Sequence, residues 1–243
     1  MLHSRIFQSE ALNLEQILRL DPQASHRLIR VLRQKPGDHI TLFNGDGYEY
    51  TAIITAIDKK GVKVTITARD FVDRESPLQI ALAQGMVQGS KMDMILQKAV
   101  ELGVYSFTPL ITERTQGKTG TREVKRMQHF QSVIVSACEQ CGRNHMPVLH
   151  EPISFTEWLQ ALPQAGIKIV LSPEAKDSEL PPLNNVSPLT VLIGPEGGLT
   201  QREIEKTLQK QFVPLKLGPR ILRAETATLV ILSILQRTYG DLL

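Results

Sequence analysis

Three stretches of this chain end an apolar run with a small residue, a proline and a charged residue: Leu171-Ser172-Pro173-Glu174, Ile193-Gly194-Pro195-Glu196 and Leu217-Gly218-Pro219-Arg220. Such turns work through the main chain. Glycine lets a ligand approach the backbone closely, and proline stiffens the turn. In an open parallel sheet, ligands bind beyond the carboxyl ends of the strands. Three such ends side by side would offer N–H and C=O groups to the edge of a flat heterocycle such as adenine. The candidate binding residues are Leu171, Ser172, Gly194, Pro195, Glu196, Gly197, Leu217, Gly218 and Leu222.

The second stretch continues as Gly197-Gly198-Leu199-Thr200, and Thr200 with Glu203 predicts a capping box opening a helix. One such loop alone reads equally well as a tight strand-to-helix turn; the recurrence favours a shared ligand site. No predicted strand runs into G-x-G-x-x-G, and the Walker pattern is absent, against a nicotinamide dehydrogenase or a P-loop NTPase. The third stretch continues through Arg220 to Ala227. There Arg223 is a ready donor to an anion or a carbonyl. Glu225 stands near the start of the following helix, where a carboxylate also suits the positive end of the dipole. These two are the candidate catalytic residues.

Two further acids break a local rule. Glu101 and Glu139 each fall in the last turn of a predicted helix, where an exposed carboxylate costs roughly 0.3–1 kcal/mol. A salt bridge, for instance Glu139 with Arg143, would offset this; the alternative is that each fixes a loop or an arginine near the site. Cys138-x-x-Cys141 with His145 and His150 has the wrong spacing for a zinc finger, and Cys138 falls on an apolar helix face, so no metal site is expected.

A basic stripe lies near the N-terminus. Arg27, Arg30, Arg33 and Lys35 occur with no acid among them, on a helix expected between Asp21-Pro22 and Pro36-Gly37. Leu28, Val31 and Leu32 are expected to pack inward and turn the basic residues outward. His26 and Arg5 extend the stripe, and a phosphate backbone is the partner such a surface fits. The other reading is a solvated helix face.

The elements that must position these groups fall in two blocks. Up to about residue 72, strands at Asp38 to Phe43, Tyr50 to Ile57 and Val62 to Ala68 with one helix suggest a small barrel. From about residue 75, strands alternate with helices: Leu78 to Met86, a helix carrying Met92, Ile95, Leu96 and Ala99, then Val104 to Ile111. A long helix follows from about Arg122 to Gln140, with Val124, Met127, Ile134, Ala137 and Cys138 on one side. Strands recur at Lys168 to Leu171, Leu189 to Ile193 and Val213 to Leu217, and a last, largely apolar helix begins near Glu225. This order predicts a mostly parallel sheet covered by helices, with the boundary near residues 72–76. The 243 residues hold 42% apolar and 22% charged side chains with a net charge of +3, an ordinary globular balance that permits a nucleic-acid partner. With no signal-peptide pattern, no bilayer-length apolar run and two cysteines, the expectation is a soluble cytoplasmic protein.

With these residues in hand, the chain resembles the RsmE family, the 16S ribosomal RNA (uracil-N3)-methyltransferases of the SPOUT superfamily. The resemblance spans nearly the whole length. It rests on His26, Val31-Leu32-Arg33 and Gly37-Asp38, on Glu101-Leu102-Gly103-Val104, on Glu113-Arg114, and on Glu139-Gln140-Cys141-Gly142-Arg143. The most specific parts are Ile193 to Gly198 and Leu217 to Arg223 with Glu225-Thr226-Ala227. Ala224 stands where the family often has threonine, and Met127 where it often has tryptophan. The resemblance implies an N-terminal PUA-like β-barrel over residues 1–72 and a C-terminal α/β-knot, a trefoil-knotted methyltransferase domain, over 73–243. It also implies a homodimer, S-adenosylmethionine as cofactor and a uridine of the small ribosomal subunit as target. That chemistry requires no metal, because the methyl group arrives activated on a sulfonium. Arg223 would stabilise charge on the uracil carbonyls, and Glu225 would act as a base or orient Arg223. His26, Arg33 and, in the Glu139 to Arg143 motif, Arg143 join Arg5, Arg27 and Arg30 as candidate RNA contacts. A related enzyme methylating a ribose 2′-hydroxyl and a non-catalytic ribosomal-RNA-binding assembly factor are the competing readings.

Overall fold

The computed structural model describes residues 4–115, 123–176, 179–182 and 188–243. Met1 to His3, and Arg122 at the expected start of the long helix, lie outside the described residues. The chain divides into two compact units: residues up to Glu75 with Cys138–Met146, and Ser76–Ala137 with Pro147–Leu243.

In the first unit, five strands form one sheet: β1 (Ser4–Phe7), β2 (Ile17–Arg19), β3 (His39–Phe43), β4 (Tyr48–Asp58) and β5 (Gly61–Phe71). Their order is β1-β3-β4-β5-β2, with β1 parallel to β3 and the other pairs antiparallel. The short edge strands β1 and β2 carry too few residues for a periodic signal, and the sequence pattern misses both. Alternate residues enter the core, as Tyr50, Ala52 and Ile54 on β4 and Val62, Val64 and Ile66 on β5 do. The helix α1 (Pro22–His26) starts where Asp21 accepts the Ala24 N–H at 2.8 Å.

Past His26 the turn widens. Arg27–Val31 is π-helical, closed by Leu32 N–H to Arg27 C=O at 3.0 Å, and Arg33 then adopts a left-handed φ of 53°. The expected helix to about residue 35 is therefore cut short, and its phase is broken, because an i→i+5 turn does not keep the 3.6-residue period. Leu28 is buried as expected, but Val31 and Leu32 are 66% and 40% exposed instead of packed inward.

The second unit is built on a parallel sheet: β6 (Ile80–Gly85), β7 (Ser106–Ile111), β8 (Val148–Leu149), β9 (Ile153–Ser154), β10 (Ile167–Leu171), β11 (Leu189–Ile193) and β12 (Val213–Leu215). The order is β12-β10-β11-β6-β7-β8, with β9 also paired to β7, and every pairing is parallel. Among the described residues five helices accompany it: α2 (Ser90–Glu101), α3 (Glu123–Cys141), α4 (Phe155–Ala161), α5 (Gln201–Gln209) and α6 (Ala224–Tyr239). The last residues of α3, from Cys138 on, belong to the first unit.

Helices cover both faces of the sheet. Ala83, Leu110, Val170 and Leu192 pack with Trp158 of α4, with Ile204 of α5 alongside. Gln84, next to Ala83, points to the opposite face and meets Thr228 of α6. On α3 the buried face is Phe130, Ile134, Ala137 and Cys138; Val124, expected among them, is 69% exposed. Strand β12 stops at Leu215, two residues short of the expected end, so Leu217 lies in the loop. Among the described residues, no helix is long and apolar enough to cross a membrane.

Candidate active site

Three neighbouring strands end in register. Val170 of β10 stands opposite Leu192 of β11 on one side and Pro214 of β12 on the other. Their loops therefore leave the same edge side by side, starting at Ser172, Gly194 and Lys216. In the first loop, the Ser172 N–H donates to Leu215 C=O at 3.0 Å, tying the start of one loop to the end of β12. The Ser172 hydroxyl accepts the Glu174 N–H at 3.3 Å.

The second loop is the tightest. A Cβ on Gly194 would lie 2.8 Å from Leu199 N and 2.9 Å from Gly198 C, so only glycine fits there. The Gly198 N–H donates to Pro195 C=O at 2.8 Å and closes the turn. Arg114, from the loop after β7, donates to Gly197 C=O at 2.7 Å. The Glu196 carboxylate accepts the Gln88 N–H at 3.1 Å and pairs with Lys91 at 3.3 Å. Burial alone would raise the Glu196 carboxyl, but backbone N–H groups and Lys91 outweigh it and hold it below the ordinary range. An open cleft of about 570 Å³ adjoins this turn, lined by Gln88, Gly89, Ser90, Lys91 and Glu196. Behind the turn, the expected capping box is present: Thr200 accepts the Glu203 N–H and Glu203 accepts the Thr200 N–H. The buried Glu203 also accepts the Glu113 N–H at 2.9 Å, so one carboxylate fastens two loops.

The third loop, Gly218 to Ile221, is exposed, and Leu222 is half-buried. Arg223 is the N-cap of α6 and is exposed. Glu225 lies in the first turn of α6, and its Oε2 is buried with no hydrogen-bond partner among the described residues.

The candidate RNA contacts separate into two groups. His26, Arg30 and Arg33 are exposed. Arg5, Arg27 and Arg143 are instead committed within the first unit. Arg5 forms an ion pair with Glu49, donates to Asn144 Oδ1 at 2.7 Å and to Arg143 C=O at 3.2 Å, and stacks 4.8 Å from the Phe43 ring centre. Arg27 pairs with Glu139, and Arg143 with Glu75 at 2.5 Å. The expected Glu139–Arg143 bridge is therefore replaced by two others, whereas Glu101 does carry an ion pair, with Lys98 at 2.8 Å. Cys138 is fully buried, and desolvation pushes its thiol up to about 12.

The RNA methyltransferase domain model matches residues 74–236, and the RNA methyltransferase PUA domain model matches residues 20–67. A relative from Buchnera aphidicola named ribosomal RNA small subunit methyltransferase E is 37% identical over 242 residues, 98% of this chain and 97% of its own. The chain belongs to the RsmE family of RNA methyltransferases. A Bacillus subtilis relative of the same name is 31% identical, covering 86% of this chain and 85% of its own. Among solved structures, a Legionella pneumophila methyltransferase in complex with S-adenosylmethionine superposes with a TM-score of 0.92 at 41% identity, covering 99% of both chains. A Neisseria gonorrhoeae ribosomal RNA small subunit methyltransferase E bound to S-adenosylmethionine gives 0.90 at 36% identity, covering 99% of this chain and 100% of its own.

The RsmE-family site here fits such a cofactor on the chain's own evidence. The Gly194 turn has no room for a Cβ, and a carboxylate oxygen at Glu225 is buried without a partner among the described residues. Sequence reading missed Gln84, Thr228, Lys91 and Arg114 as parts of this site. Gln84 left a faint signal, as the one polar side chain in the strand Ile80–Gly85.

Proposed function

We propose that this chain uses S-adenosylmethionine to methylate N3 of a uridine in 16S ribosomal RNA of the small subunit. The observation that carries the reading is the in-register alignment of three glycine- or serine-led loops at one sheet edge, in a chain of the RsmE family. Leu171, Ser172, Gly194, Pro195, Glu196, Gly197, Leu217, Gly218 and Leu222 would hold the cofactor. When bound, it supplies a methyl group already activated on a sulfonium. The protein's part is to align the base with that methyl and to manage one proton. Uracil N3 is protonated near neutral pH and lies on the pairing edge, so the base must be unpaired or flipped out. Arg223, exposed at the N-cap of α6, would stabilise charge on the uracil carbonyls. Glu225 Oε2, buried with no partner among the described residues, is suited to accept the N3 proton or to orient Arg223.

We propose the remaining parts of the reading from the family resemblance. The domains are a PUA-like barrel over residues 1–72 and a trefoil-knotted methyltransferase domain over 73–243, acting as a homodimer in the cytoplasm. Leu229 and Val230 of α6 are only partly buried and Ile234 is 38% exposed, leaving an apolar face for a second copy. RNA docking falls to His26, Arg30 and Arg33, the candidates whose side chains face solvent. Mass spectrometry of ribosomal RNA from cells with and without this protein tests the function. Loss of one N3-methyluridine from the small-subunit RNA is expected. A missing 2′-O-methyl group instead, or an unchanged modification profile, overturns it.

A further inference from the structure

The side chain of Gln84 is completely buried at the end of β6, as is that of Thr228 on α6. Gln84 Nε2 donates to Gly85 C=O at 3.0 Å and to Gly194 C=O at 3.1 Å. Its Oε1 accepts the Thr228 hydroxyl at 2.8 Å. The amide has one workable orientation. Turned over, it would set its oxygen against two carbonyl oxygens, and both would lose their donor. The Thr228 hydroxyl also lies 2.9 Å from Ala224 C=O, in the first turn of α6 between Arg223 and Glu225. Main-chain packing continues the same link. Gly85 lies so close to the turn that a Cβ there would fall 2.5 Å from Pro195 N.

A buried primary amide is an expensive choice for a strand. A leucine or methionine would fill similar space without desolvating polar atoms, and an amide is tolerated only when its groups are satisfied. Its bonds join the Gly194 turn, the end of β6 and Thr228 of α6, whose hydroxyl in turn reaches Ala224 in that helix's first turn. We infer that Gln84 is a positioning residue for methyl transfer: it sets the Gly194 carbonyl, and with it the Gly194–Gly197 turn, at a fixed offset from Arg223 and Glu225, through Thr228. This rests on the reading of that turn as cofactor-binding, and it assigns Gln84 no contact with the reacting atoms.

The test uses the full chain with Gln84→Met, Gln84→Glu, Thr228→Val and Thr228→Ser, and with Gly194→Val as the control for the turn itself. Thermal unfolding, S-adenosylmethionine affinity by calorimetry, and kcat and KM with small ribosomal subunits are measured for each. Gln84→Met and Thr228→Val should bind the cofactor about tenfold or more weakly, as expected for a buried partner left unpaired. Their kcat should fall while KM for the subunit stays near the parent value. Gln84→Glu has the same size but sets an oxygen against Gly194 C=O, so it should be at least as weak. Thr228→Ser keeps the hydroxyl and should restore parent affinity. If Gln84→Met fails to fold, the Gln84→Glu and Thr228 pair decides by the same criteria. Parent affinity and kcat in folded Gln84→Glu and Thr228→Val, with binding lost in Gly194→Val, overturn the positioning role alone. Parent affinity in Gly194→Val overturns the reading of the turn. A Thr228→Ser variant as impaired as Thr228→Val shows that packing, not the hydroxyl, matters, and overturns the proposal as well.

Discussion

Arg27 and Glu139 form an ion pair across 112 residues of sequence. Glu139 Oε1 meanwhile accepts the Phe7 N–H at 3.0 Å, so one carboxylate ties β1, the π-turn and the end of α3 within the first unit. Its sequence neighbour Arg143 is the partner that helical spacing predicts, and Gly142 explains why it is not. Gly142 takes φ of 88°, which ends the helix and breaks the i,i+4 relation. An acid in the last helical turn is unfavourable for the dipole, and Arg27 supplies the compensating charge.

That pair is expected to stabilise the first unit without serving RNA directly. Arg27→Met should cost about 1–3 kcal/mol, because the largely buried Glu139 loses its charge partner; the one-third exposure of Arg27 keeps the loss below that of a fully buried pair. Glu139→Gln combined with Arg27→Met should recover part of it. Urea denaturation of the four proteins of this cycle measures the coupling, and additive losses would refute it.

RNA docking is expected to depend on the exposed arginines. Arg33 holds a left-handed backbone, so Arg33→Asn removes the charge with little strain while keeping a side chain. Together with Arg30→Ala it should lower the salt slope of subunit binding by roughly one unit per arginine. S-adenosylmethionine affinity should not change. An unchanged slope would reduce this surface to a solvated one.

Alkaline pH should act through Tyr50. Burial first, then the 2.6 Å hydrogen bond to Asp46, push its phenol up to about 12. The folded state therefore favours the neutral phenol. Its contribution is complete below the ordinary tyrosine value of about 10 and is lost as pH rises toward about 12. Phenolate absorbance should show a late ionisation step belonging to Tyr50, coincident with unfolding of the first unit. Tyr50→Phe should remove that late step; its persistence would assign it elsewhere.

Association should depend on the outer face of α6. Ile234→Lys places a charge on an apolar surface that faces solvent in the single chain, so the monomer should fold normally. Light scattering should then report a monomer where the parent is a dimer, with methylation lost. A parent that is monomeric and fully active would end this reading.

The sequence revealed elements more readily than their neighbours. Long strands and α6 announce themselves by apolar runs, and the Thr200–Glu203 box marks the start of α5. The helix α4 is only seven residues long, too short for a periodic signal, although Ser154 caps it by accepting the Glu157 N–H. The three loops are visible one at a time as proline turns, but their adjacency comes from the order β12-β10-β11, which is set by long-range pairing. Gln84 was overlooked for the same reason: its partners Gly194 and Thr228 lie 110 and 144 residues away. The outward placement of His26, Arg30 and Arg33 was legible, but residue spacing cannot show the π-turn over Arg27–Val31 that breaks the phase and leaves Val31 and Leu32 exposed.

The glycines of the second loop should respond to substitution by two different rules. At Gly194 the obstacle is space: any Cβ meets backbone atoms of Leu199 and Gly198 below 3 Å, and backbone cannot swing aside as a flexible side chain can. Gly194→Ala should therefore weaken S-adenosylmethionine binding by tenfold or more, if about 1.4 kcal/mol of the distortion falls on the bound state. At Gly198 no atom of the described residues lies within 4 Å of a Cβ, and the obstacle is the backbone, at φ of 69°. Asparagine tolerates that region better than alanine does. Gly198→Asn should keep near-parent affinity, whereas Gly198→Ala should lose part of it. Calorimetric titration of the three variants orders them. If Gly194→Ala binds as well as Gly198→Asn, the turn does not shape the cofactor pocket. If Gly198→Asn is the weakest of the three, the loop is held by contacts other than its backbone geometry.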